Sequence, residues 1–265
     1  MHIRSDRAHF LAVLLVALAS TIGWAQQQGQ QPSSEFHWTG KIAPEGVLII
    51  KNVSGDIDAE PAPAGEAEVT AEKSGPRAQE VKIEVDQLPD GVMICAIFPG
   101  WFNHHCEEGH SSNVGSNRTK VHFIVKVPEN IRFHGQNVNG DVTAEHLGRF
   151  VHATSVNGSI KVSTKSWVQA ETVNGSIDAK MGSADWNGTL AENSVNGSIT
   201  LELPSDTSAE ISFASVNGSL QSDFSFRESG KLTSHLVKGT IGNGGRDLKI
   251  HTVNGDVRLK RQEPI

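Results

Sequence analysis

The stretch VHATSVNGSIKV at residues 151–162 decides the fold, because its pattern returns along most of the chain. At its centre is the pentapeptide Val-Asn-Gly-(Asp/Ser)-(Val/Ile/Leu). Full copies begin at Val138, Val156, Val173, Val195, Val216 and Val253. Looser copies begin at Val53 (Val-Ser-Gly-Asp-Ile) and Val237 (Val-Lys-Gly-Thr-Ile). The spacing between copies varies, so the motif is a fixed corner in a repeat of elastic length.

Aligned on the motif valine, the copies share apolar columns and one glycine column. The residues five positions before the valine are Leu48, Phe133, Val151, Val168, Leu190, Ile211, Leu232 and Leu248. Those four positions after it are Ile57, Val142, Ile160, Ile177, Ile199, Leu220, Ile241 and Val257. The glycines two positions after it are Gly55, Gly140, Gly158, Gly175, Gly197, Gly218, Gly239 and Gly255. We expect both flanking columns and the valines themselves to face the interior.

The local pattern predicts short β-strands joined by corners. Runs such as residues 159–162 alternate polar and β-branched residues, which is a strand period. A two-residue Asn-Gly hairpin would place Val156 and Ile160 on opposite faces. A corner with glycine in the left-handed conformation keeps both inside. The sequence therefore predicts an all-β, right-handed β-solenoid of about eight coils, with a β-sandwich of hairpins as the rival.

A solenoid would stack equivalent residues at about 4.8 Å. The motif asparagines then form a ladder of side-chain amides, and the Asp or Ser that follows bonds to local backbone N–H groups. The ladder consists of Asn139, Asn157, Asn174, Asn196, Asn217 and Asn254. We expect Arg258, Lys260, Arg261 and Pro264 to blunt the last open edge.

The N-terminus is typical of an exported chain. Residues 1–25 combine Arg4 and Arg7 with an apolar run and a small-residue cleavage site, which predicts a signal peptide. Residues 26–34 are rich in Gln and Ser and predict a flexible linker. We expect an irregular β region with the first coil at residues 35–132 and regular repeats at residues 133–265. No membrane span is expected after signal cleavage.

The irregular region contains the two cysteines of the chain. Strand-like runs flank Asp90-Gly91, which is a hairpin signal. Cys95 and Cys106 in an exported chain favour a disulfide. Metal binding is the alternative, because His104, His105 and His110 lie beside Cys106 and supply zinc or copper ligands.

Composition and motifs exclude several function classes. The formal charge is −7 and no strong basic patch occurs, which argues against a nucleic-acid partner. No nucleophile elbow, phosphate loop, dinucleotide fingerprint or His-Glu-x-x-His motif occurs. We therefore expect a non-enzymatic protein and assign no catalytic residue, cofactor or resident metal.

The repeats, the segment GVMICAIFP at residues 91–99 and VKVP at residues 125–128 resemble the putative-adhesin family of bacterial β-strand-repeat proteins. The resemblance covers about residues 36–260. It implies a β-solenoid, an exported or envelope-associated protein and no catalytic residues to carry over. Val237-Lys-Gly-Thr lacks the asparagine and residues 242–245 are rich in glycine, so we expect a distorted coil there.

Three functions remain open at this stage. The first is an envelope or surface protein, an adhesin or interaction scaffold that contacts a glycan, matrix or envelope protein in the periplasm, at the cell surface or outside the cell. The second is a periplasmic structural scaffold that self-associates end to end. The third is a carbohydrate-active enzyme on a β-helix.

Overall fold

The structure is a computed structural model that describes residues 34–63, 65–99, 118–233 and 235–262. In these ranges the chain forms twenty-one β-strands and one 3-10 helix, Ala78–Glu80. The described residues contain no helix long and apolar enough to cross a bilayer. The predicted signal peptide and nearly all of the predicted linker lie outside the described residues and stay predictions.

The strands form two long sheets. Sheet 1 has the spatial order β1 (Glu35–Gly40), β4 (Ala67–Ser74), β7 (Lys120–Val127), β3 (Ile57–Pro61), β9 (Val142–Leu147), β11 (Ile160–Thr164), β13 (Ile177–Met181), β15 (Ile199–Leu203), β21 (Val257–Arg261) and β17 (Leu220–Ser222). Sheet 2 has the spatial order β18 (Phe226–Thr233), β19 (Leu236–Ile241), β16 (Ala209–Asn217), β20 (Asp247–Asn254), β14 (Thr189–Asn196), β12 (Val168–Asn174), β10 (Val151–Asn157), β8 (Arg132–Gln136), β2 (Val47–Lys51), β6 (Gly91–Ile97) and β5 (Lys82–Leu88).

A typical repeat supplies one strand to each sheet. β10 ends at the motif asparagine, Asn157, and β11 begins three residues later, at Ile160. Both strands pair in parallel with the equivalent strands of the next repeat, β12 and β13. This parallel stacking confirms an all-β, solenoid-like architecture and argues against a sandwich of hairpins.

The core lies between the two sheets. Alternate residues of β10 are buried, which gives the period-2 pattern that its sequence predicts. The largest fully buried side chains include Phe123, Phe133, Phe213 and Trp186. The columns five before and four after the motif valine are buried at nearly every described position.

The region before the regular repeats belongs to the same two sheets. β5 and β6 form the antiparallel hairpin predicted at Asp90-Gly91. β6 and β7 then pair in parallel with β2 and β3, although neither carries the motif. β1 and β4 add antiparallel strands beyond β7.

The stacking order departs from the sequence order at both ends. β20 pairs in parallel with β14 on one side and β16 on the other. The last motif copy, at Val253, therefore lies between the copies at Val195 and Val216. At the opposite end, β2 lies between β6 and β8.

Two expectations about the C-terminal end are wrong. Gly239 lies inside β19, which pairs antiparallel with both β16 and β18, so the copy at Val237 forms part of a strand and no stacked corner. Arg258, Lys260 and Arg261 lie on β21, which the inserted position places between β15 and β17. These basic residues therefore do not blunt an edge, and Pro264 lies outside the described residues.

Candidate functional site

The motif corners form one continuous column between the two sheets. The corner glycines stack in the order Gly55, Gly140, Gly158, Gly175, Gly197, Gly255 and Gly218. From Gly55 to Gly255, each glycine N–H donates to the carbonyl oxygen of an asparagine in the adjacent corner at 3.0 Å. The backbone ladder of the sheets thus continues through the corner.

Close stacking explains the glycines better than the left-handed conformation does. A Cβ on Gly158 would lie 1.9 Å from the carbonyl oxygen of Gly140, and one on Gly175 would lie 2.1 Å from that of Gly158. Of these seven, Gly55, Gly140 and Gly197 have positive φ values of 106°, 149° and 159°, whereas Gly158, Gly175, Gly218 and Gly255 do not. The expectation that all of them turn left-handed is therefore wrong; only a hydrogen fits against the next rung.

The six motif asparagines form a hydrogen-bonded ladder on the surface. Each donates an Nδ2–H to Oδ1 of its neighbour at 2.8–2.9 Å, in the sequence Asn217, Asn254, Asn196, Asn174, Asn157 and Asn139. Asn139 completes the ladder by donating to the carbonyl oxygen of Val53 at 3.3 Å. All donors point toward the N-terminal end of the stack, so the amide dipoles align and reinforce one another.

Four motif valines lie outside, which corrects the predicted interior column at these positions, whereas Val53 is buried as predicted and Val138 is partly buried against the core. Val156, Val173, Val195 and Val216 are 38–59% exposed. The reason is strand alternation: five positions separate the valine from the buried column before it, and an odd separation in a strand reverses the face. The valines therefore form a ridge beside the asparagine ladder. We call these two columns together the corner surface.

The position just before the valine holds a buried polar column that the sequence reasoning missed. Its members are Asn52, Asn137, Ser155, Thr172, Ser194, Ser215 and Thr252. Ser155 Oγ donates to the carbonyl oxygen of Gly140 at 3.0 Å, and Thr172 Oγ1 donates to that of Gly158 at 2.9 Å. The other members also donate to corner glycine carbonyls, except Ser215, whose Oγ has no hydrogen-bond partner. The signal was present as an unbroken column of small polar residues.

The Asp or Ser column links neighbouring rungs and does not bond locally as predicted. Asp56 Oδ1 accepts the backbone N–H of Asp141 at 2.9 Å, and Asp141 Oδ1 accepts that of Ser159 at 2.7 Å. Asp256 Oδ1 accepts both the N–H and the hydroxyl of Ser219 at 2.8 and 2.9 Å. These bonds lower the pKa of the Asp256 carboxyl. The column therefore fixes corner register.

The cysteine site is only half described. Cys95 lies buried on β6, in a small cluster with Val47, Ile49 and Met93 on the face of sheet 2 away from the main core. Cys106, His104, His105 and His110 lie outside the described residues, so the disulfide and its metal alternative stay predictions. No metal-binding group of three or more His, Cys, Asp or Glu occurs in the described part of the chain.

One ionisable side chain lies in the core itself. Glu192 is fully buried three positions before Val195, where the neighbouring repeats carry Ala170 and Ile250. Its Oε2 accepts the backbone N–H of Ala170 at 2.9 Å, and its Oε1 has no hydrogen-bond partner. Burial raises the pKa of Glu192 well above its ordinary value, so the side chain is neutral over a wider pH range.

Two histidines belong to an aromatic cluster on the outer face of sheet 2. The rings of His134 and His152 are 5.4 Å apart and both pack against Phe150, which stacks on Trp167 at 4.0 Å. Burial, together with the nearby charge of His152, lowers the pKa of His134 to about 4. Burial also lowers the pKa of His152.

The fold and the corner surface define a solenoid-like repeat protein whose stacked turns carry an ordered polar ladder. The chain belongs to the Toastrack DUF4097 family, whose model matches residues 43–260. This match confirms the family predicted from the motif. No curated protein matches the sequence.

Two solved structures are similar to the chain. A putative cell adhesion protein from Clostridium sporogenes ATCC 15579 aligns over 86% of this chain and 100% of its own, with 13% identity and a TM-score of 0.47. A putative adhesin from Bacteroides fragilis NCTC 9343 aligns over 86% of this chain and 97% of its own, with 11% identity and a TM-score of 0.36. At this similarity neither structure carries a functional conclusion for this chain.

Proposed function

We propose that the chain is an exported, non-enzymatic envelope or surface protein that uses its corner surface to contact a glycan, a matrix component or an envelope protein. The proposal includes the finer architecture predicted from the motif, a right-handed solenoid of about eight coils. The exposed valine ridge beside the asparagine ladder is the observation that carries it.

The chemistry of the corner surface suits a repetitive partner. Within the ladder, Asn157 uses one amide N–H toward Asn139 and accepts one N–H from Asn174. A carboxamide has two N–H donors and two carbonyl lone pairs, so one of each remains available at such a rung. Val156 and Val173 add an apolar contact beside them. The surface therefore offers the same donor, acceptor and apolar group at each step of about 4.8 Å.

The first test is location. Intact cells are treated with a protease, and released peptides from the described region are identified. Peptides released from unbroken cells support surface residence. Full protection until the outer envelope is opened favours the periplasm, where only an envelope partner is available.

The second test is the corner surface itself. Val156, Val173 and Val195 are changed together to serine, and binding to glycan arrays, matrix proteins and isolated envelopes is compared with wild type. The matched control changes Lys161, Asp178 and Thr200 to serine, a row on consecutive strands of sheet 1.

Binding should fall at least tenfold in the valine variant and stay within twofold in the control. Both triple variants alter outward positions and should remain folded by circular dichroism. Equal binding by all three proteins would show that the corner surface is not the contact.

A further inference from the structure

The C-terminal coil is inserted between two coils that precede it in the sequence. β14 and β16 follow each other as motif strands, yet β20 separates them and pairs with both. In sheet 1, β21 separates β15 from β17 in the same way. The chain up to residue 241 therefore leaves a slot one rung wide, and residues 247–261 fill it.

The slot is matched to this coil on both sides. β20 has seven Cα partners on each neighbouring strand, and all are in parallel register. Leu248, Ile250, Val257 and Leu259 are at most 1% exposed. An empty slot would leave unpaired N–H and C=O groups on both β14 and β16, which only a strand of matching register satisfies.

The connection into the slot is built as a hinge. Residues 242–246 join β19 to β20, and Gly242, Gly244 and Gly245 have φ values of 56°, 73° and 107°. Four hydrogen bonds hold the turn. Gly244 N–H donates to the Ile241 carbonyl oxygen at 3.0 Å, and Asn243 N–H donates to Ser208 Oγ at 3.3 Å. Arg246 Nε donates to the Trp186 carbonyl oxygen at 3.1 Å, and the Arg246 carbonyl oxygen accepts the Glu210 N–H at 2.7 Å. Five residues span about 16–18 Å when extended, so the hinge can carry the coil away from its own body.

We propose that the C-terminal coil is exchangeable and that two copies of this chain can each insert residues 247–261 into the slot of the other. The partner is a second copy of this chain because its residues 247–261 present the same strand register and the same apolar side chains that fill this slot in the closed monomer. The exchanged pair keeps the strand pairings and the apolar burial of the closed monomer and gives up only contacts of the turn at residues 242–246, which is the condition for domain swapping between identical chains. The inference is independent of what the corner surface binds.

A cross-link between full-length chains tests the exchange. Ala191 on β14 and Lys249 on β20 are Cα partners at outward positions. Adjacent strands lie about 4.8 Å apart, within the Cα separation that a disulfide spans. One preparation carries A191C, the other carries K249C; they are mixed at high concentration, warmed to just below the unfolding transition, cooled and oxidised.

We expect a covalent heterodimer on a non-reducing gel, at a yield at least fivefold above that of A191C mixed with itself. Cys95 and Cys106 are present in every chain, so any background from them appears in that control. A chain carrying both A191C and K249C should form the bond internally and stay monomeric, which shows that the geometry is correct. Heterodimer at the control yield, with complete internal closure in the double variant, would overturn the proposal.

Hinge length gives a second readout that needs no cysteine. Deleting Gly244 and Gly245 leaves three residues to cross the start of β16, so the closed monomer is strained and light scattering should show mainly dimer. Inserting two glycines at the same place should reduce the dimer fraction below that of wild type. A folded deletion variant that stays monomeric at high concentration contradicts the exchange.

Discussion

The buried carboxyl of Glu192 predicts an unusual dependence of stability on pH. In the folded chain its pKa is raised by burial, whereas in the unfolded chain its pKa is about 4.3. Between these two pKa values the folded state holds one proton more than the unfolded state. The free energy of unfolding therefore falls as pH rises, by about 1.4 kcal/mol per pH unit from this group alone. The contribution of Glu192 to stability is fully present below the unfolded pKa and is lost progressively as pH rises to the raised folded pKa.

The substitution Glu192→Gln isolates this contribution. Glutamine keeps a carbonyl oxygen for the Ala170 N–H and a similar volume, but it does not titrate. The difference in unfolding free energy between the Gln variant and wild type should therefore grow as pH rises, by up to about 1.4 kcal/mol per pH unit while the pH lies between the unfolded and the folded pKa. Other titrating groups, including His134 and His152, occur in both proteins and cancel in the difference.

Urea unfolding at pH 5.0, 5.5 and 6.0, followed by tryptophan fluorescence and circular dichroism, measures the difference. Glu68→Gln on β4 is the matched control, because it makes the same chemical change at an exposed position. Parallel stability curves for Glu192→Gln and wild type would refute the reasoning and show that Glu192 is charged or hydrated in the folded state. An unchanged slope in the control is needed to assign the effect to burial.

Three further results are expected. Gly158→Ala places a methyl group 1.9 Å from the Gly140 carbonyl oxygen and should destabilise the fold by about 1–3 kcal/mol in urea unfolding, whereas Gly65→Ala, which meets no atom within 4 Å, should change it little. Asn174→Ala removes two ladder bonds at the exposed corner and should cost about 0.5–1.5 kcal/mol, a loss that Asn174→Gln should not restore because the longer amide misses both neighbours. His134→Gln should reduce the loss of stability in acid. The folded pKa of His134, about 4, lies below the unfolded value, so wild type loses stability as pH falls from about 6.5 toward 4. An equal loss of stability in both proteins would count against the buried imidazole.

The repeat motif was sufficient to predict the class of fold but not which face each residue takes. Ile160 and Val151 lie inside as expected, because strand alternation and apolar character agree at those columns. At Val156, strand alternation and apolar character favour opposite faces. Alternation determines the outcome, because one residue cannot change face without breaking the backbone ladder. Ser155 then takes the interior position, and its hydrogen bond to the Gly140 carbonyl oxygen offsets the cost of burying the hydroxyl. A hydrophobicity pattern does not predict a buried hydroxyl with such a partner. The column of small polar residues in the aligned repeats is the signal that indicates it.

The order of the coils could not be predicted, and the reason lies in the repeat itself. Asn196 receives a ladder bond from Asn254, but Asn217 carries the same side chain at the same corner and could occupy that place. Equivalent motif residues fit any rung of the stack. They therefore determine the repeat period and the strand register, but not which coil lies beside which. The connections decide instead: residues 204–208 are long enough to pass over one rung, and the glycine hinge at residues 242–246 turns the chain back into the gap. Loop length and hinge composition are therefore the features that distinguish an inserted terminal coil from a sequential one, and they are where stacking order should be sought in similar repeats.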